Sequence, residues 1–115
     1  MTPDGTLLDA LVAYWELDEA GGQRSDSHGS NHLADNNSVG RGSGRVDGAA
    51  HFLASSNEYF SIADNADMSP GDVDFTLVAW VYLDTAPPAD MGIAGKFNGG
   101  VASEYYLTYW NYTDI

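Results

Sequence analysis

Cysteine is missing from all 115 residues, which excludes disulfide bridges and thiolate metal sites. It also removes the usual clue to redox compartment. Basic side chains are nearly as scarce, with 4 Lys and Arg against 17 Asp and Glu and a formal net charge of -13. Binding nucleic acid requires Lys and Arg to displace counterions from phosphates, so nucleic acid is excluded as a partner. Anionic membrane surfaces are excluded by the same logic. No apolar stretch approaches the roughly 18 to 20 residues of a membrane-spanning helix, so membrane insertion is not expected. Residues 1–9 lack the charged and apolar zones of a signal peptide. Long segments of helical periodicity are absent as well.

Hydrophobic residues make up 43% and aromatics 12% of the chain, enough apolar surface for one folded domain but not for two. The 13 glycines and the scattered Asn, Asp and Ser mark turns. Between them lie strand-like runs. Residues 11–17 (LVAYWEL) form a short apolar and aromatic run that follows a lead-in over residues 1–10. A polar tract over residues 18–45 is interrupted by one short strand near residues 32–34. Residues 46–53 and 58–62 are separated by a connection of hairpin length, which predicts an antiparallel pair. Residues 75–83 (FTLVAWVYL) are apolar on both faces, as in a central strand covered on both sides. Pro87 and Pro88 then mark a loop, and residues 91–97 and 104–112 predict a second pair. Seven short strands without a helix of consequence imply an all-β, antiparallel two-sheet sandwich. Trp15, Phe52, Tyr59, Phe75, Leu77, Trp80 and Leu107 are its predicted core.

Several segments, taken in order, resemble the laminin G-like jelly-roll family of concanavalin A-like lectin domains. Residues 11–19 (LVAYWELDE), followed by Gly21 and Gly22, look like that family's first strand and turn. Residues 26–33 (DSHGSNHL) are similar to its D-S-S-G-N-G-N-x-G loop, with His28 and Ser30 departing from the commonest letters. Residues 44–52 (GRVDGAAHF) resemble G-K-V-G-G-A-L-x-F, with Asp47 in place of a glycine. Residues 57–62 (NEYFSI) resemble N-D-Y-V-x-V, and residues 75–81 (FTLVAWV) resemble F-T-V-S-A-W-V. The resemblance runs over roughly residues 11–110. It implies a jelly roll over residues 11–115 lacking the family's closing strand, hence the front part of a domain in a larger extracellular or cell-surface protein.

The acidic surplus has two readings, solubility or oxygen ligands for a hard cation. The loop over residues 26–31 gathers the Asp26 carboxylate, the Ser27 hydroxyl, the Asn31 amide and free carbonyls, the donor types calcium takes. The resemblance implies a bound calcium here, with Asp26 and Asn31 as side-chain ligands. The residues alone leave open an Asx-turn in which Asp26 caps its own backbone. Glu16, Asp18 and Glu19 resemble the carboxylate strand of glycoside hydrolases, but the spacing lacks the second spacer and puts Glu19 on the wrong face. No nucleophile elbow or phosphate loop is present, and Gly40, Arg41, Gly42, Ser43 and Gly44 read as a flexible turn. His28, His32 and His51 do not define a metal site. Tyr105, Tyr106, Tyr109, Trp110 and Tyr112 form the densest aromatic cluster. Alternation puts Tyr106, Trp110 and Tyr112 on one face, where rings can stack on sugars. The expected function is a non-catalytic module that binds a glycan or a protein partner. The alternatives are a structural spacer in a larger surface protein and, third, an enzyme related to glycoside hydrolases.

Overall fold

The computed structural model describes residues 7–96 and 104–111. The chain is β-rich: the described residues hold no α-helix, only short 3₁₀ turns at Leu7–Ala10, Ala54–Ser56 and Ala66–Met68. The strands are β1 (Ala34–Asn36), β2 (Gly40–Ser43), β3 (Gly48–His51), β4 (Tyr59–Ser61), β5 (Met91–Lys96) and β6 (Tyr105–Tyr109). Among the described residues they form three two-stranded antiparallel sheets, β1 with β4, β2 with β3 and β5 with β6. The chain divides into two compact units, Met1–Ala63 and Asp64–Ile115.

In the first unit, β2 and β3 form a tight hairpin. The Gly44 amide donates to the Asp47 carbonyl at 2.9 Å, and Asp47 takes a left-handed φ of 56°. A Cβ on Gly44 would collide with the Gly48 backbone, so the glycine that suggested a flexible turn is what lets the two strands meet. This overturns the expected pairing of residues 46–53 with 58–62. Residues 48–51 are taken by β2 instead, and β4 pairs with β1 in the register Ala34 with Ser61, Asp35 with Phe60 and Asn36 with Tyr59. The residues between β3 and β4 coil into a 3₁₀ turn closed by Asn57 at φ 50°, whose amide donates to the Ala54 carbonyl.

The centre of this unit is an arginine. Arg24 is fully buried, and its guanidinium donates to the carbonyls of Gly22 and of Val39, the latter at 3.0 Å. It lies 3.7 Å from an Asp35 oxygen and 4.8 Å from the centroid of the Phe60 ring. Phe60 in turn meets Phe52 edge-on at 5.0 Å. Asp35 also accepts the Val39 amide at 2.9 Å and the Gly22 amide at 3.2 Å, so it fixes the backbone on either side of the arginine. Val39 is the single buried large apolar residue among those described. Phe52, Tyr59, Phe75 and Trp80, predicted as core, are exposed, whereas Trp15, Leu77 and Leu107 are half-buried.

Residues 11–17 form no strand. Only Trp15 makes an antiparallel bridge, to Asp26, and Leu17 at φ 61° breaks the extended run. Residues 75–83, expected as a central strand, lie outside every strand among the described residues. A strand exists only with a ladder partner, which side-chain pattern alone does not supply.

In the second unit, β5 and β6 pair with a bulge between Gly92 and Ala94, as expected from their sequence. Asn65 caps the neighbouring 3₁₀ turn by accepting the amides of Asp67 at 2.9 Å and Met68 at 3.3 Å. The Tyr105 hydroxyl donates to the Met68 carbonyl at 3.0 Å, and its ring meets Phe75 edge-on at 5.2 Å. Lys96 bridges Asp64 at 2.6 Å and Glu104 at 2.7 Å. These hydrogen bonds hold the Asp64 carboxyl below and the Lys96 ammonium above their ordinary values.

Candidate functional site

The loop over residues 26–31 is built around the Asp26 carboxylate, which is 6% exposed. One oxygen accepts the backbone amides of Tyr14 at 3.0 Å and His28 at 2.9 Å, and the other accepts the Asn31 amide at 3.0 Å. Burial opposes the charged form, but these amides together with that of Gly29 overcome it and hold the carboxyl well below the usual carboxylate range. Around this knot, the Asp26 amide donates to His32 Nδ1 at 3.0 Å and the Trp15 indole donates to the Asn31 carbonyl at 2.7 Å. The Ser27 amide donates to the Tyr14 carbonyl at 2.6 Å. Gly29 is closely approached, because a Cβ there would sit a tight 3.2 Å from the Asp26 oxygen.

Asp26 and Asn31 are therefore brought together, both buried, but the groups facing the carboxylate are N–H donors. Calcium takes six to eight oxygens. Among the described residues no group of three or more Asp, Glu, His or Cys converges on one point. The chemistry of the loop is that of a carboxylate tying a turn to the segment carrying Tyr14, a long-range form of the Asx-turn.

The carboxylates considered for catalysis do not share a strand face. Glu16 is exposed, and the left-handed Leu17 stands between it and Asp18, so alternation does not align them. Glu19 accepts the Ser25 amide at 2.7 Å. Close by in the sequence, Ala20 to Gly22, Asp35 and Asn37 to Gly40 line a shallow, open depression of about 540 Å³. Asn37 and Ser38 on its rim both take left-handed backbone angles, φ 69° and 64°.

The second candidate is the aromatic face of the β5 and β6 sheet. Tyr105, Leu107 and Tyr109 are half-buried, while Tyr106 is 54% and Trp110 61% exposed. Tyr112 lies outside the described residues. Tyr106 pairs with Gly95 across the ladder, and its ring lies over two glycines of β5. A Cβ on Gly95 would fall 2.7 Å from Tyr106 Cδ2, and one on Gly92 would fall 3.0 Å from its Cε2 and Cζ. The bulge explains how glycines three positions apart reach one face, since the extra residue restores the alternation. The ring thus rests on bare backbone, as when an aromatic covers strand glycines. Trp110 follows Tyr109, which pairs with Met91, and precedes Asn111. The Asn111 amide donates to Asp90 at 2.8 Å and its side chain to the Pro87 carbonyl at 3.0 Å. The Trp110 backbone is thereby held on both sides.

Arg24, Gly92 and Gly95 escaped the sequence reading. Two glycines inside a strand-like run are the legible signal for the latter pair. Arg24 carries no local signal, because its acceptors come from residues 22, 39 and 40.

No family model matches the chain, and no match is found among the curated proteins or the solved structures. Among the described residues, no helix is long and apolar enough to cross a membrane.

Proposed function

We propose that this chain is a non-catalytic binding module that takes a glycan on the β5 and β6 face, and that its small sheets belong to a laminin G-like, two-layered jelly roll in a larger surface protein. The observation that carries the binding role is the pair of exposed rings, Tyr106 and Trp110, on a sheet whose other residues hold them in place. Aromatic faces stack on the apolar faces of sugar rings. Tyr106 is backed by Gly92 and Gly95, so its orientation is set before any ligand arrives, which lowers the entropy lost on binding. Tyr106 in β6 and Trp110 just past its end are four residues apart, about 13 Å if the chain stays extended, a span that one extended oligosaccharide covers. The net charge of -13 favours neutral over sulfated or uronic sugars.

The test is calorimetric titration with neutral xylo-, cello-, manno- and chito-oligosaccharides, with heparin as the anionic comparator. At least one neutral series should bind, and Tyr106→Ala and Trp110→Ala should each weaken it about tenfold or more, a loss in the range of one stacked ring. Binding unchanged in both variants, or heparin binding in preference, refutes the proposal. Calcium, implied by the resemblance at Asp26 and Asn31, has its own test. Equal melting temperatures in calcium and in chelator remove the ion from the proposal.

A further inference from the structure

The sequence holds the spacing Asn-x-Ser/Thr at Asn36-Asn37-Ser38 and at Asn111-Tyr112-Thr113. The second runs outside the described residues. The first closes β1, which ends at Asn36, and Asn37 and Ser38 turn the chain with left-handed angles on exposed residues. The two faces of the β1 and β4 ladder differ. Asp35 and Phe60, directly opposite each other, turn to the buried Arg24. Alternation puts Ala34, Asn36, Tyr59 and Ser61 on the other face, and the half-buried Asn36 side chain accordingly donates to Ser61 Oγ at 2.9 Å. Ala34 on this face is exposed, and so is Tyr59 at 53%. Asn36 stands directly across the ladder from Tyr59, where Cβ atoms are about 5 Å apart.

We propose that Asn36 is an N-glycosylation site and that Tyr59 is the platform for its first sugar. Asn-x-Ser/Thr is the acceptor spacing for N-linked glycans on the surfaces of exported proteins. Asn36 Nδ2 attacks C1 of the reducing-end sugar of a polyprenyl pyrophosphate-linked oligosaccharide. The N–C1 bond forms as the bond from C1 to the pyrophosphate oxygen breaks. The polyprenyl pyrophosphate leaves with that electron pair, and the nitrogen gives one proton to the transferase. The substituted nitrogen keeps one N–H, so its bond to Ser61 survives. Tyr59 offers an exposed ring to the apolar face of the attached sugar, and the sugar in return covers the ring. Glycosylation requires export, so it rests on the surface-protein part of the reading above. It is independent of the β5 and β6 face, because failure of free oligosaccharides to bind there leaves a covalent glycan at Asn36 untouched.

The test sends the full chain through a eukaryotic secretory pathway behind a cleavable signal, which supplies export and isolates the site itself. Trypsin separates the two acceptors, because Arg24 and Arg41 bound one peptide and Lys96 precedes the other. By mass spectrometry the peptide over residues 25–41 should carry hexose and N-acetylhexosamine, released by peptide N-glycosidase with an aspartate left at position 36. Asn36→Gln and Ser38→Ala should each abolish the glycan, and Ser38→Thr should keep it. Ser38→Ala leaves the bond from Asn36 to Ser61 in place, so its loss of glycan is not a loss of fold. A secreted, folded chain with bare residues 25–41 overturns the site, as does a glycan there that survives Ser38→Ala or one found only on the peptide after Lys96. Made in a host without the transferase, the same chain should melt lower by on the order of a few °C, and Tyr59→Ala should erase that difference. No difference in the parent, or one that survives Tyr59→Ala, overturns the platform.

Discussion

Replacing Asp26 by Asn removes one buried negative charge and changes almost no volume, so it isolates what the carboxylate does. Four backbone amides point at its oxygens, from Tyr14, His28, Gly29 and Asn31. The Asn oxygen keeps about half of them, and its NH₂ group then faces donors with no acceptor. Two amides left without a partner cost about 1–3 kcal/mol each, a loss of about 2–6 kcal/mol. That is a large share of the roughly 5–15 kcal/mol that holds a domain together. Asp26→Ala strands all four amides and should cost more. The pH dependence follows from the direction of the shift. The folded carboxyl titrates well below its unfolded value of about 4, so its contribution is complete above that value and is lost as pH falls below it towards the folded one. The assay is urea denaturation at pH 7 and at steps below pH 4, followed by circular dichroism and by tryptophan emission, since the Trp15 indole is bonded within the same loop. An Asn variant within about 0.5 kcal/mol of the parent, the level of an ordinary surface substitution, would refute the reasoning, as would acid sensitivity identical in the two proteins.

The remaining expectations rest on other parts of the fold. Arg24→Met removes the cation beside Asp35 and the guanidinium donors to the carbonyls of Gly22, Val39 and Gly40, and should destabilise by about 3–5 kcal/mol in denaturant melts. Arg24→Lys should not restore the loss, because one ammonium cannot reach acceptors spread over residues 22, 39 and 40. Gly95→Ala places a methyl against the Tyr105 carbonyl and the Tyr106 ring, and should cost about 1–3 kcal/mol while weakening oligosaccharide binding through displacement of the ring. Ser38→Gly should raise stability by up to about 1 kcal/mol by relieving a left-handed backbone on an exposed residue, readable as a higher melting temperature.

Legibility from the sequence tracked how local each cause was. The β5 and β6 pairing was legible because a short Gly-containing connection joins two strand-like runs. Tyr106 and Trp110 are both exposed, and the β6 ladder ends at Tyr109. The hairpin of β2 and β3 was not legible. A run of Gly and Ser is compatible with both a loose turn and a close pair of strands, and only the collision a Gly44 side chain would make distinguishes them.

What the sequence by itself determined is the class of the protein: a cysteine-free, strongly acidic, β-rich chain whose turn residues forbid long helices and whose charge repels polyanions. Those properties sum over residues and need no partner. The tertiary structure alone decided which segment each strand meets, that Arg24 rather than an apolar cluster occupies the centre of the first unit, and that Val78, Trp80 and Tyr82 are exposed despite the most strand-like pattern in the chain. The physical reason is common to all three. A strand or a buried charge is stable only through groups brought from elsewhere in the chain, and the amides on Asp26 and the carbonyls on Arg24 meet their partners only after the backbone has folded.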